Sequence, residues 1–325
     1  MPTYTGISSE AFRHPLDYQA ELALRSLPGF DLVARKFMEF AYERPRHVFL
    51  MGNSIEANPR QYASIYHLFR GYVRDLDVSP EPTLFVSQSP TVNAYALGQE
   101  RPCIVLSTGL LDLMSEAELR SAIAHELGHI KCGHTTLTQM ANWAITLVFS
   151  LTSMTFGLST LVSTGMIMAF YEWLRKAELS ADRAALLLLD DLNPVLNSMM
   201  RLSGGSTRYG HELNLEEFIR QSERYQRLDQ DGLNQVYKFF LYNNVAGGTF
   251  LTHPFTVERV QYLRDWANSA EYRQICTGNY RRTGAGAVEV PVAPANDPEE
   301  VDRLRRELED LQRQIDTLRR SQDGD

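Results

Sequence analysis

The run His125-Glu126-Leu127-Gly128-His129 constrains the fold of this 325-residue chain more than any other feature. Residues i and i+4 share one face of an α-helix, about 6 Å apart along the axis at ~1.5 Å per residue. In that conformation both imidazoles reach one metal ion at roughly 2.0–2.1 Å. Glu126 stands beside the first of them, where a carboxylate can take a proton from a polarised water. The segment therefore has to be helical, and the fold has to bring a further ligand to the same face. The flanking residues agree with a helix. Ser115-Glu116-Ala117-Glu118 sets a serine three residues before a glutamate, the pattern of a capping box. Leu119, Ile123, Leu127 and Ile130 then recur every three or four residues and give the helix an apolar stripe to bury.

Three residues compete for the third ligand position. His134 follows His125 by nine residues with Gly133 directly before it, a register that suits a helix-end histidine, or one standing behind a ligand, better than a ligand. Cys132 lies three residues past His129 but seven past His125, which makes facing the same ion as both difficult, and it reads as a small packing residue. Glu178, in Lys176-Ala177-Glu178-Leu179-Ser180-Ala181-Asp182, is the stronger candidate. Glu178 and Asp182 are again i and i+4, on an alanine- and leucine-rich stretch, Tyr171 to Leu189, that reads as a helix. The first carboxylate can bind metal while the second orients a ligand histidine through its other ring nitrogen. Two histidines and one glutamate leave a fourth zinc position open, the arrangement of catalytic rather than structural sites.

The motif H-E-L-G-H followed some way downstream by E-L-S-A-D resembles the gluzincin endopeptidases of the HtpX and CAAX-prenyl-protease type, metallopeptidase family forty-eight. Asn93-Ala94-Tyr95-Ala96, the strand-like Cys103-Ile104-Val105-Leu106-Ser107 and the His253-Pro254…Arg259 element extend the likeness over roughly residues 50–265. The resemblance implies one Zn2+ per chain on His125, His129 and Glu178, with Glu126 as general base and Asp182 orienting a ligand. It also implies that Asn93, Ala94, Tyr95 and Ala96 border the substrate groove and that His253 and Arg259 lie near the developing oxyanion. The expected function is zinc-dependent hydrolysis of peptide bonds within proteins or peptides, in protein quality control by analogy with the family. The competing expectation is a latent or scaffolding metal-binding protein whose groove stays occluded until a partner or membrane signal opens it.

A formal charge of −8 and the lack of a basic cluster argue against nucleic acid as a main partner. Three cysteines at no metal-like spacing, and a start without a signal-peptide pattern, give a cytoplasmic expectation. Met140 to Tyr171 carries no charged residue and is long enough to cross a bilayer. A single crossing would part His129 from Glu178, so the segment has to turn back, near residues 155–157 or 163–165. Each arm of about 15 residues gives only ~22 Å of helix. A buried or peripherally membrane-associated hairpin is therefore expected.

Residues 17–45 and 57–75 read as helices, and Thr83 to Ser87 as a short strand between prolines. The predicted fold is α+β and predominantly helical, a zincin-type core with a small sheet beside the motif helix. Residues 1–278 form the metallopeptidase domain, with a helical part at 1–80, and residues 279–298 form a linker. In residues 299–325, Val301, Leu304, Leu308, Leu311, Ile315 and Leu318 form a heptad seam, which predicts a coiled-coil helix that self-associates or recruits a partner.

Overall fold

The computed structural model describes residues 2–30, 34, 37, 44–151, 159–243 and 252–283. The motif helix runs Glu116–Lys131 and opens on the predicted capping box. Ser115 Oγ accepts the Glu118 N–H at 3.4 Å, and the Glu118 carboxylate accepts the Ser115 N–H at 2.8 Å. These bonds satisfy two of the donors that a helix start leaves unpaired.

On one side of this helix lies a mixed sheet of four strands: β1 (Ile55–Glu56), β2 (Thr83–Ser87), β3 (Ala94–Leu97) and β4 (Cys103–Ser107). Their order is β1-β2-β4-β3, with β2 and β4 parallel and the outer pairings antiparallel. Side chains alternate across a strand, and here both faces are covered. Leu84, Ile104 and Leu106 join Leu119, Ile123 and Leu127 of the motif helix in the main core. Phe85, Cys103 and Val105 pack on Leu50 of the helix Arg44–Asn53. β4 is consequently buried at every residue, while β3 stands at the edge.

On its other side the motif helix meets a long helix, Ser159–Leu189, which carries Glu178 and Asp182. Small residues set how closely the two approach. A Cβ added at Gly128 would lie 2.7 Å from Ala184 Cβ and 2.9 Å from Ala181 Cα, and neither atom can swing aside. Alanine favours a helix over glycine by roughly 0.8–1 kcal/mol, whereas overpacking a tight contact costs about 1–3 kcal/mol. Overpacking should win. Gly128→Ala is expected to lower stability by about 1–2 kcal/mol in denaturant unfolding. An unchanged or raised midpoint would show that the helices can part freely.

The structure revises several boundaries. Of the helix predicted over residues 17–45, residues 30, 34, 37 and 44–45 are helical again and the others of 31–43 lie outside the described residues, but the run Pro15–Arg25 is a separate helix. It stops before Pro28 and Gly29, the latter at φ +88°, because proline offers no N–H to the ladder and a positive φ leaves the helical region. The helix predicted over 57–75 starts only at Ala63, since Ala57 donates its N–H to Leu84 beside the sheet. The acidic-motif helix begins well ahead of Tyr171, at Ser159.

The apolar segment does fold back. Leu137, Met140 and Ala141 of the helix His134–Leu151 pack against Met166, Ile167, Phe170 and Leu174. Residues 163–165 lie inside the second helix, so they are not the turn, and the alternative at 155–157 falls outside the described residues. No helix among the described residues is long and apolar enough to cross a membrane. Most of the expected linker and the whole heptad seam also lie outside them.

Candidate metal centre

Helix-to-helix packing turns the two sequence motifs toward each other. His125 Nε2 and His129 Nε2 are 3.2 Å apart. The Glu178 carboxylate places Oε2 3.3 Å from His125 Nε2 and Oε1 3.3 Å from His129 Nε2. Each Glu178 oxygen thus faces a different imidazole nitrogen, and one ligand atom from each of the three side chains lies within 4.8 Å of the others, close enough to converge on one ion. Among the described residues, no other His, Cys, Asp and Glu side chains gather in a group able to hold a metal.

Two further observations fit a cation. Glu178 Oε2 is buried without a hydrogen bond, although Arg259 Nη1 lies 3.2 Å away at ion-pair distance. A buried carboxylate oxygen left unbonded is costly unless a positive group faces it. The pKa of His125 is pushed up to about 10: burial alone would lower it, but the carboxylates of Asp182 and Glu178 beside its two ring nitrogens outweigh burial. The cluster thus favours positive charge at the point where the donors converge. A metal ion would take the proton's place there.

One supporting residue comes from the helix of Glu178 and the other from a further helix. Asp182, one turn beyond Glu178, accepts from His125 Nδ1 at 3.0 Å, which leaves Nε2 as the free donor toward the cluster. Asp182 is in turn held by Arg259, whose Nε and Nη2 donate to its two oxygens at 2.8 and 2.6 Å. Burial would raise the pKa of Asp182, but Arg259 and His125 hold it below its ordinary value. Arg259 sits on the helix Thr256–Ala267 and is itself buried. It spans both carboxylates from behind.

Other residues singled out in the sequence fall around this centre. Glu126 is buried on the motif helix at 8% exposure. His253 is 63% exposed, and its Nε2 lies 3.6 Å from Glu178 Oε1, at the rim of the cluster. Ala94, Tyr95 and Ala96 belong to the edge strand β3, while Asn93 precedes it and pairs with Ser107 through both its backbone groups. His134 is not among the converging donors; its Nδ1 meets His129 Nδ1, the nitrogen facing away from the cluster, at 3.0 Å. Cys132 is the residue that ends the motif helix.

The sequence reading missed the use to which Arg259 is put. Its spacing from His253 gave a motif match but no partner, and only the packing of the two helices supplies Asp182.

Comparison with known proteins points the same way. Residues 59–267 match Peptidase family M48. The chain is 31% identical over 280 residues to "Plastoglobule-localized metallopeptidase 48, chloroplastic" of Arabidopsis thaliana, covering 84% of this chain and 76% of that protein. It is 23% identical over 248 residues to "Protease HtpX homolog" of Dictyoglomus turgidum, covering 69% and 77%. A "Protease HtpX homolog 2" of Methanosarcina mazei is 26% identical over 211 residues, covering 57% and 66%. The family match over most of the chain, joined to a donor cluster spaced for one ion, places this protein in peptidase family M48, the zinc-dependent metallopeptidases.

Proposed function

We propose that this protein is a zinc-dependent endopeptidase in which His125, His129 and Glu178 hold the ion and Glu126 is the general base. The observation that carries the reading is the convergence of His125, His129 and Glu178, with one ligand atom from each within 4.8 Å of the others and Glu126 next to the first of them on the same helix. A bound zinc ion supplies a Lewis acid that acidifies water and polarises a carbonyl.

The protein's own groups do the rest. Glu126 accepts the proton of the attacking water at its carboxylate and returns it to the leaving nitrogen. His253, exposed at the rim, would donate toward the oxyanion of the tetrahedral intermediate. The sequence resemblance put Arg259 in that role as well. Its three guanidinium nitrogens face Asp182 and Glu178, so we assign it to holding those carboxylates instead.

β3 pairs with β4 on one side, and its other edge carries no strand among the described residues. An extended chain could add there through backbone hydrogen bonds. Such binding reads little side-chain detail, which suits cleavage within unfolded protein segments.

The test pairs zinc content with cleavage of unfolded casein. One zinc per chain is expected, with cleavage abolished by a chelator and restored by added zinc. Zinc bound without any cleavage would favour the latent reading, for which the observation is the position of the His253 imidazole beside Glu178. A protein that cleaves casein equally well after its zinc is removed would refute both.

A further inference from the structure

The two histidine ligands are not supported alike. His125 Nδ1 meets Asp182 directly, and Arg259 clamps that carboxylate. His129 Nδ1 instead meets another imidazole, His134 Nδ1, at 3.0 Å. The far nitrogen of that ring, His134 Nε2, meets Asp17 Oδ2 at 3.0 Å. Asp17 lies on the N-terminal helix Pro15–Arg25, outside the stretch matched by the family.

This second limb is fully built. Arg13 clamps Asp17 in the same manner as Arg259 clamps Asp182, with Nε and Nη2 donating to its two oxygens at 2.8 and 2.9 Å. Ser180 Oγ, from the helix that carries Glu178, donates to Asp17 Oδ2 at 2.6 Å and accepts the His14 N–H at 2.9 Å. Asp17 and Ser180 are 0% exposed and His134 is 1% exposed. The ring of Trp173 stands edge-on to His134 with centroids 5.8 Å apart. No solvent needs to be invoked to satisfy the chain of bonds.

We propose that Asp17 and His134 are positioning residues for His129, so that the helix 15–25 forms part of the metal centre. The proposal rests on His129 Nε2 being a metal ligand. Hydrogen-bond direction then follows without choice. A neutral imidazole that binds metal at Nε2 carries its proton at Nδ1. His129 Nδ1–H must therefore donate to His134 Nδ1, which leaves the His134 proton on Nε2. That proton can go only to an acceptor, and Asp17 is one, made so by Arg13 and Ser180 donating to it. Each link fixes the tautomer of the next. Reversing any of them would turn His129 Nε2 into an N–H and close it to the ion.

The experiment measures zinc affinity of the full chain by competition with a fluorescent zinc chelator, for wild type, Asp17→Asn, His134→Phe and His134→Gln. Loss of such a supporting hydrogen bond weakens metal binding by about 10–100-fold. That loss is expected for His134→Phe, which keeps the ring and removes both bonds, and for Asp17→Asn, which puts an amide donor against groups that need an acceptor. His134→Gln can accept through Oε1 and donate through Nε2, and should return the affinity close to wild type.

Equal affinities across all four proteins would overturn the proposal while leaving the ligand assignment intact. A loss in His134→Gln as large as in His134→Phe would also overturn it, because ring shape and not hydrogen bonding would then matter. Should Asp17→Asn fail to fold, the contrast between the two His134 variants decides alone. A wild type that holds no zinc would refute the ligand reading itself, a result distinct from either.

Discussion

Glu126→Gln should keep its zinc and lose peptidase activity by about 10²–10⁴-fold, the usual contribution of a general base or acid. Glutamine has the shape of glutamate but accepts no proton at neutral pH. The converging donors are His125, His129 and Glu178, and Glu126 is not among them. Zinc content should therefore stay at one per chain. If Glu126 acts only on the water and the leaving nitrogen, the loss should fall on kcat with KM little changed. Measuring both constants on a defined peptide, together with zinc content, separates the outcomes. Full activity with zinc bound would remove Glu126 from the mechanism. Joint loss of zinc and activity would make it a structural residue of the site.

Much of this site is legible in the sequence because its parts are local. Two residues one turn apart share a helix face whatever surrounds them, which made His125 with His129, and Glu178 with Asp182, readable as pairs. The capping box at Ser115 is equally local, and it formed as predicted. Strands β2 and β4 followed from short β-branched runs between breakers. The supporting residues depended on long-range packing and left no such trace. Asp17 sits among leucines and alanines on a helix that looked like ordinary core, and its partner His134 is 117 residues away. Arg13 at i−4 gave the only local hint, and i,i+4 pairs of that kind are common on solvated helix faces. The overlong helix at 17–45 came from following apolar spacing through Pro28 and Gly29. Backbone chemistry at those two residues overrides the pattern.

Arg259→Met should destabilise the metal-free protein by about 3–5 kcal/mol, the range for removing one partner of a buried ion pair. Methionine fills similar volume, so the loss would report charge more than packing. The guanidinium is the cation facing both Asp182 and Glu178, and these carboxylates are 2% and 6% exposed. In the wild type, burial would raise the Asp182 pKa, yet Arg259 and His125 hold it below the ordinary value. A depressed carboxylate contributes stability above its unfolded pKa, near ~4, and loses it as pH falls toward the folded value. Without Arg259 the burial penalty is no longer offset and the folded pKa of the pair should rise. The variant then gains stability, relative to wild type, as pH falls and the carboxylates take up protons. The deficit should accordingly be largest at pH 7 and shrink toward pH 4, in urea unfolding with a chelator present. A deficit that stays constant with pH would mean that lost packing, not the stranded carboxylates, sets the cost. Zinc should reduce the deficit where it still binds, because the ion supplies at Glu178 part of the positive charge that the arginine had provided. That dependence would tie the stability of the helix pair to the occupancy of the metal centre.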